Sequence, residues 1–290
     1  MRLLVTGGSG FLGEYVLTEA ARRGHETVAL ARSAAAVVTV TRRGAQSLIG
    51  DLDDPARLLA VFGTADCEAL VNLASLGFGH APAIVAAARA AAIDRAVFVS
   101  TTAVQTTPPA HSKRIRLDAG GQIRDSGLKW TILRPTIIYG APGDRNLSRL
   151  LALLPRLPVP PVPGSGRHLQ QPVHVADVAD AVLNAVERPA AAGHCYDVAG
   201  PEPFSFTELL RSCAPEARQP DPAGPGAAGP SRRRRAATRY SAAAGRGQGL
   251  RHQRRHPRSR LRNARIQRVA SLPGERRNTL FNSYEGLMEG

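Results

Sequence analysis

Cysteine is scarce in this chain of 290 residues: Cys67, Cys195 and Cys213 stand far apart and form no C-x-x-C pair. That argues against a disulfide framework or a cysteine-based metal site, and reduced thiols in a cytoplasmic protein are expected. The eight histidines show no ligand spacing either, so no metal is expected. No apolar run approaches the ~20 residues of a membrane span, and the N-terminus enters an apolar strand with nothing like a leader before it. Lysine occurs only at Lys113 and Lys129, and no tyrosine lies between Tyr15 and Tyr139.

What is abundant is positive charge, unevenly placed. The formal net charge is +15. Residues 1–213 hold 21 basic and 18 acidic side chains, a net +3, whereas residues 214–290 hold 17 arginines against 5 acids, a net +12. The basic character therefore belongs to the C-terminal stretch. The body, in a chain that is 43% hydrophobic, is long enough for one large α/β domain with an appendage.

The body is organised around residues 2–13. Leu3, Leu4 and Val5 read as a buried strand, Thr6 and the glycines as a tight turn, and Phe11 to Arg23 as a helix. Gly7, Gly8, Gly10 and Gly13 sit where a dinucleotide diphosphate needs them. Gly7 supplies backbone angles closed to other residues, Gly10 admits the phosphates to the main chain, and Gly13 lets the helix and strand pack closely. The spacing is G-x-x-G-x-x-G, which alone also fits an ordinary β–α turn. Its place between a strand and an amphipathic helix favours the cofactor, held by free N–H groups at the helix N-terminus.

Further strands are expected at Glu26–Ala31, 46–50, 69–74, 95–100, 130–134 and 196–199, with helices at 81–92, 113–126, 146–154, 176–188 and from Ser205. Strands alternating with helices imply a parallel sheet covered on both faces. Arg32, at the end of the second strand, stands where an acid would select NAD and a cation accepts the 2′-phosphate of NADP. NADP is therefore favoured over NAD, with a solvated surface arginine as the competing reading. Asp51 is placed to accept from an adenine amino group, with Leu52 against the ring. Asp53 or Asp54 before Pro55 is better placed to cap a helix.

Thr6–Gly13, Asp51-Leu52, Asn72-Leu73-Ala74, 97–102, Leu133-Arg134-Pro135 and 172–179 occur in an order that resembles the extended short-chain dehydrogenase/reductase superfamily, of the NAD(P)-dependent epimerase/dehydratase type. The resemblance covers roughly residues 1–212. It is nearest to atypical members such as the nucleotide-binding accessory subunit of respiratory complex I and small-molecule reductases. It implies a doubly wound Rossmann fold over residues 1–140, with Phe11, Leu12, Leu73, Ala74 and Pro135 joining the glycines around the nucleotide. A small, incomplete substrate lobe over 141–213 would follow.

The family also uses a tyrosine four residues before a lysine. The phenolate moves a proton, while the lysine lowers its pKa and holds the nicotinamide ribose. Lys113 stands where that lysine would be, but Pro109 occupies the tyrosine position. Thr101 matches the hydroxyl residue that polarises the substrate oxygen. A pyrrolidine transfers no proton, so His111 or a water would have to stand in. Tyr139 reads as packing or a pocket wall, Asp177 as a first-turn acid, and His174 as a satisfied, partly buried histidine.

Beyond Ala214 the composition turns to Arg, Pro, Gly and Ala, with Ser231 followed by four arginines. Such a stretch buries too little apolar surface to offset ordering entropy, so disorder is expected. GC-rich coding sequence read out of frame would yield the same composition. Nucleic-acid binding through this tail is an unspecific, low-ranked reading. Three functions follow. The first is an oxidoreductase or isomerase acting on a small carbonyl or nucleotide-sugar-like substrate, with a homodimer compatible. The second is a non-catalytic NAD(P)-binding subunit or redox sensor. The third is nucleic-acid binding.

Overall fold

The computed structural model describes residues 1–105, 111–140, 144, 147, 162, 164–217 and 265–269. Its main sheet contains β1 (Arg2–Thr6), β2 (Glu26–Ala31), β3 (Gln46–Ile49), β4 (Ala69–Asn72), β5 (Arg95–Val99), β6 (Lys129–Pro135) and β10 (His194–Ala199). These seven pair in parallel. The order is β12-β10-β6-β5-β4-β1-β2-β3, with β12 (Arg265–Val269) at one edge. Helices α1 (Phe11–Arg22), α2 (Ala34–Arg42), α3 (Pro55–Gly63), α4 (Ala81–Ala90), α5 (His111–Arg124) and α6 (Val175–Glu187) connect the strands. This is the doubly wound fold expected from the alternating pattern.

The unbroken apolar strands follow from that arrangement. With helices on both faces, every residue of a central strand is covered, so alternation of polar and apolar positions has no place. Leu3, Leu4, Val5, Leu70, Val71, Ala96, Val97 and Phe98 are fully buried. Against one face pack Leu58 and Phe62 of α3, Ile84 and Ala88 of α4, and Ile123 of α5, in one cluster with Leu4, Leu70 and Phe98. Asp54 caps α3 through Arg57 N–H at 3.0 Å, with Pro55 in the first turn.

Several element boundaries move by a residue or two. The third and fourth strands end at Ile49 and Asn72, α4 ends at Ala90, and Ala92 has a positive φ of 55°. Helix α5 starts at His111, α6 starts at Val175, and β10 starts at His194. Within β10, Cys195 faces the core and His194 lies beside Tyr196, so the adjacent His194 and Cys195 side chains do not converge. Helix α2 was not among the expected elements; it opens on Ser33, whose side chain accepts from Ala36 N–H at 3.2 Å. The segments at 146–154, Leu147 excepted, and beyond Ala217, the strand β12 excepted, lie outside the described residues, as does Pro109.

Two compact units share the chain. Among the described residues, the first comprises Met1–Pro135, Ala179–Val198 and β12, and the second those of Thr136–Val178 and 199–217. In the second, β7 (Ile138–Tyr139) pairs in parallel with β9 (Val173–His174), and β8 (Leu169–Gln170) pairs antiparallel with β11 (Phe204–Ser205). Helix α7 (Phe206–Ala217) follows. Ser205 and Glu208 form a reciprocal cap at its head, with Ser205 N–H donating to the carboxylate at 2.8 Å.

Candidate functional site

From β1 the chain winds to β2 and β3 on one side, then returns to place β4 on the other side of β1. Ligands of open parallel sheets bind outside the carboxyl ends of the strands at such a reversal. The turn carrying Gly7 to Gly13 stands at this point. The backbone around the turn holds two of its positions to glycine. Gly7 has φ +72°, and a Cβ there would lie 2.7 Å from Ala74 N and 2.9 Å from the Leu73 carbonyl carbon. A Cβ on Gly13 would strike the carbonyl oxygen of Gly8, so the close packing is against the turn itself. Gly10 N–H donates to Gly7 O at 3.0 Å.

Gly10 is also the N-cap of α1, and no side chain caps this helix. The first N–H groups of a helix have no intrahelical acceptor. Here they open onto the turn at the carboxyl edge of the sheet, where an anion is the natural partner. A cradle from which three Cβ atoms are absent, with uncapped donors, fits a dinucleotide diphosphate. Behind it, buried Thr6 donates to Asn72 Oδ1 at 2.6 Å, and Asn72 Nδ2 donates to Ala74 O at 3.0 Å. That chain ties the ends of β1 and β4 together and places Leu73 and Ala74, both half-buried, against the turn.

Phe11 and Leu12 are half-buried in the first turn of α1. Arg32 is exposed at the end of β2. Asp51 and Leu52 are half-buried beyond β3, and Asp51 Oδ1 accepts from Asp53 N–H at 3.2 Å. Pro135 is buried at the end of β6, where its carbonyl accepts from Thr102 Oγ1 at 3.4 Å. Thr101, after β5, is half-buried, and its hydroxyl oxygen accepts from Ala103 N–H at 3.2 Å. Lys113 is half-buried in the first turn of α5.

Two arginines escaped the sequence reading. Arg116, one turn beyond Lys113 on α5, donates to Ser75 Oγ and to Ser112 O, each at 3.2 Å. Its guanidinium lies over Gly77, where a Cβ would be 2.8 Å from Cζ. Arg43, just after α2, donates to the carbonyls of Gly8 and Gly10. The contacts of Arg116 to Ser75 and of Arg43 to the turn have no local signal, because those partners lie more than thirty residues away in sequence. A glycine at 77 was the one faint hint for Arg116.

In the second unit, Tyr139 and His174 rings meet edge-on at 5.4 Å, and His174 Nδ1 accepts from Ala176 N–H at 3.3 Å. Burial, helped by the Asp177 charge, pushes the Tyr139 hydroxyl up to about 12, so it stays protonated at neutral pH. Among the described residues no cluster of His, Cys, Asp and Glu could hold a metal ion, and no helix is long and apolar enough to cross a membrane.

Comparison with known proteins agrees with this geometry. The NAD(P)H-binding family model matches residues 7–189. A 4-hydroxy-2-methyl-3-oxo-4-farnesyl-3,4-dihydroquinoline-1-oxide ketoreductase of Stigmatella aurantiaca is 32% identical over 249 residues, covering 72% of each chain. A 2-alkyl-3-oxoalkanoate reductase of Stenotrophomonas maltophilia is 29% identical, covering 72% of this chain and 74% of its own. Subunit 9 of the mouse NADH dehydrogenase 1 alpha subcomplex is 30% identical over 44% of this chain and 34% of its own. Among solved structures, Thermus thermophilus UDP-glucose 4-epimerase in complex with NAD superposes with a TM-score of 0.62 at 22% identity, covering 76% of this chain and 84% of that one.

Proposed function

The chain belongs to the NAD(P)H-binding family, of the extended short-chain dehydrogenase/reductase type, and from that premise we propose that it is an NADPH-dependent reductase of small 3-oxo compounds. The observation that carries the reading is the glycine turn at the head of α1, where Gly7 packs against Leu73 and Ala74 and Gly13 packs against the backbone of Gly7 and Gly8. Two relatives aligned over 72% of the chain are named as reductases of compounds with a 3-oxo group beside an alkylated carbon. Arg32 and the absence of an acid at the end of β2 support NADPH over NADH.

A bound nicotinamide supplies the hydride. The chain's own residues divide the remaining work. The turn N–H groups hold the diphosphate, and Asp51 and Leu52 face the adenine. Thr101 already accepts one hydrogen bond from Ala103 N–H, which leaves its O–H to donate to a carbonyl oxygen. Lys113 and Arg116, one turn apart on α5, bind ribose hydroxyls or an anionic group of the substrate. The proton that ends the reduction comes from water or His111, because Pro109 stands at the position of the family's tyrosine.

That same Pro109 favours a second reading, a nucleotide-binding subunit or sensor without turnover. Fluorescence titration with NADPH and NADH, followed by NADPH consumption against a panel of 2-alkyl-3-oxo acids and ketones, separates the two. Binding with turnover supports the reductase, and binding without turnover on any carbonyl supports the sensor. Affinity for neither nucleotide would overturn both.

A further inference from the structure

A turn that offers N–H groups to an anion must hold its carbonyls elsewhere: Gly7 O accepts from Gly10 N–H, Gly10 O accepts from Glu14 N–H at 3.3 Å, and one side chain reaches the carbonyls of both Gly8 and Gly10. Arg43 Nη1 donates to Gly8 O at 2.7 Å and to Gly10 O at 3.0 Å, while Nη2 donates to the Glu14 carboxylate at 3.0 Å. The Arg43 side chain is only 17% exposed, whereas Glu14 is 59% exposed. In a planar trans peptide the C=O and N–H vectors point in opposite directions. Drawing the Gly8 and Gly10 carbonyls towards Arg43 therefore turns the N–H groups of Ser9 and Phe11 to the other side of the turn. Those are two of the donors that a diphosphate at the head of α1 would meet.

We propose that Arg43 is a positioning residue that presets the diphosphate cradle from behind, through the carbonyls of Gly8 and Gly10. The proposal rests on the nucleotide-binding reading above. It assigns Arg43 and Arg32 different work. Arg32 is exposed at the β2 end, where a 2′-phosphate distinguishes NADPH from NADH. Arg43 acts on the part common to both nucleotides. Its charge is matched by Glu14, so its effect is orientation rather than added attraction.

The test is titration of the full-length protein with NADPH and with NADH, alongside thermal melts. Arg43→Met should raise both dissociation constants by a similar factor, about tenfold or more, because hydrogen bonds to a charged donor are the stronger kind. Arg43→Lys should recover part of the loss, since an ammonium still donates to a carbonyl but lacks the fork that spans two. The melting temperature of Arg43→Lys should stay near wild type. Should Arg43→Met fail to fold, Arg43→Lys carries the comparison with a smaller but still equal loss for both nucleotides. Loss confined to NADPH would overturn the proposal in favour of a direct 2′-phosphate contact. Unchanged affinities for both nucleotides in a folded variant would also overturn it. Wild-type protein that binds neither nucleotide would instead defeat the underlying nucleotide-binding reading.

Discussion

The turn between β1 and α1 and the segment between β5 and α5 lie at the same edge of one sheet, yet they are built to different standards. At the first, two glycines are each required by a neighbour: Ala74 and Leu73 crowd Gly7, and the Gly8 carbonyl crowds Gly13. Thr6 and Asn72 brace it from below and Arg43 from behind. At the second, Thr101 and Lys113 are present but the tyrosine spacing is not, and Arg116 occupies the approach to β4. Binding a dinucleotide and transferring a proton are separable tasks. A chain can retain the full set of donors for the first while altering the groups that perform the second.

The largest effect should come from filling the turn. Gly7→Val places a side chain against the backbone of Leu73 and Ala74 at φ +72°, and should abolish measurable NADPH binding and lower the melting temperature. Gly24→Ala is the control: φ is +78° there too, but nothing lies within 4 Å, so the cost should be about 1 kcal/mol with binding retained. Equal behaviour of the two variants would show that crowding by β4 is irrelevant.

The next effect tests the other region. If the β5–α5 segment performs chemistry, Lys113→Ala should cut NADPH-dependent turnover by about 100-fold, the order expected when a group that positions the reactants is lost. Turnover at the wild-type rate would remove Lys113 from the reaction and leave Arg116 as the cation to test. Below that lies the brace. Asn72→Ala strips the buried Thr6 hydroxyl of its acceptor, and denaturant titration should show a loss of about 1–3 kcal/mol.

The smallest effect concerns the far end of α1. Hydrogen bonding to Arg22, reinforced by Arg23 and opposed by burial, lowers the Glu19 carboxyl to about 2. A carboxyl depressed in the folded state adds stability that is complete above its unfolded pKa and is lost as pH falls. The melting temperature should therefore drop between about pH 4.5 and 2, and Glu19→Gln should flatten that slope. Asp180 works the other way: burial and the nearby Glu19 charge raise its carboxyl. An unaltered slope in Glu19→Gln would assign the acid loss to other groups.

Much of this was readable from local pattern. Apolar runs such as 3–5, 69–71 and 96–99 announce strands covered on both faces, and the glycines at 7, 10 and 13 announce a tight turn between strand and helix. Helix α2 was not readable, because Ala34–Arg42 is Ala, Val and Thr with little polar contrast and buries only Val40. The two-residue pairs β7–β9 and β8–β11 have no composition of their own; their partners decide them. Arg43 looked like any helix-terminal arginine. Only the approach of α2 to the turn reveals its acceptors, 35 and 33 residues away in sequence.

By itself, the sequence determined the parallel α/β architecture and the glycine turn between β1 and α1, since each depends on residue types at short spacing and on backbone angles that few residues adopt. The tertiary structure alone decided which side chains brace and approach that turn. A guanidinium reaches whatever carbonyl or hydroxyl the packing of distant helices brings within 3 Å, and no local pattern in the chain encodes that distance.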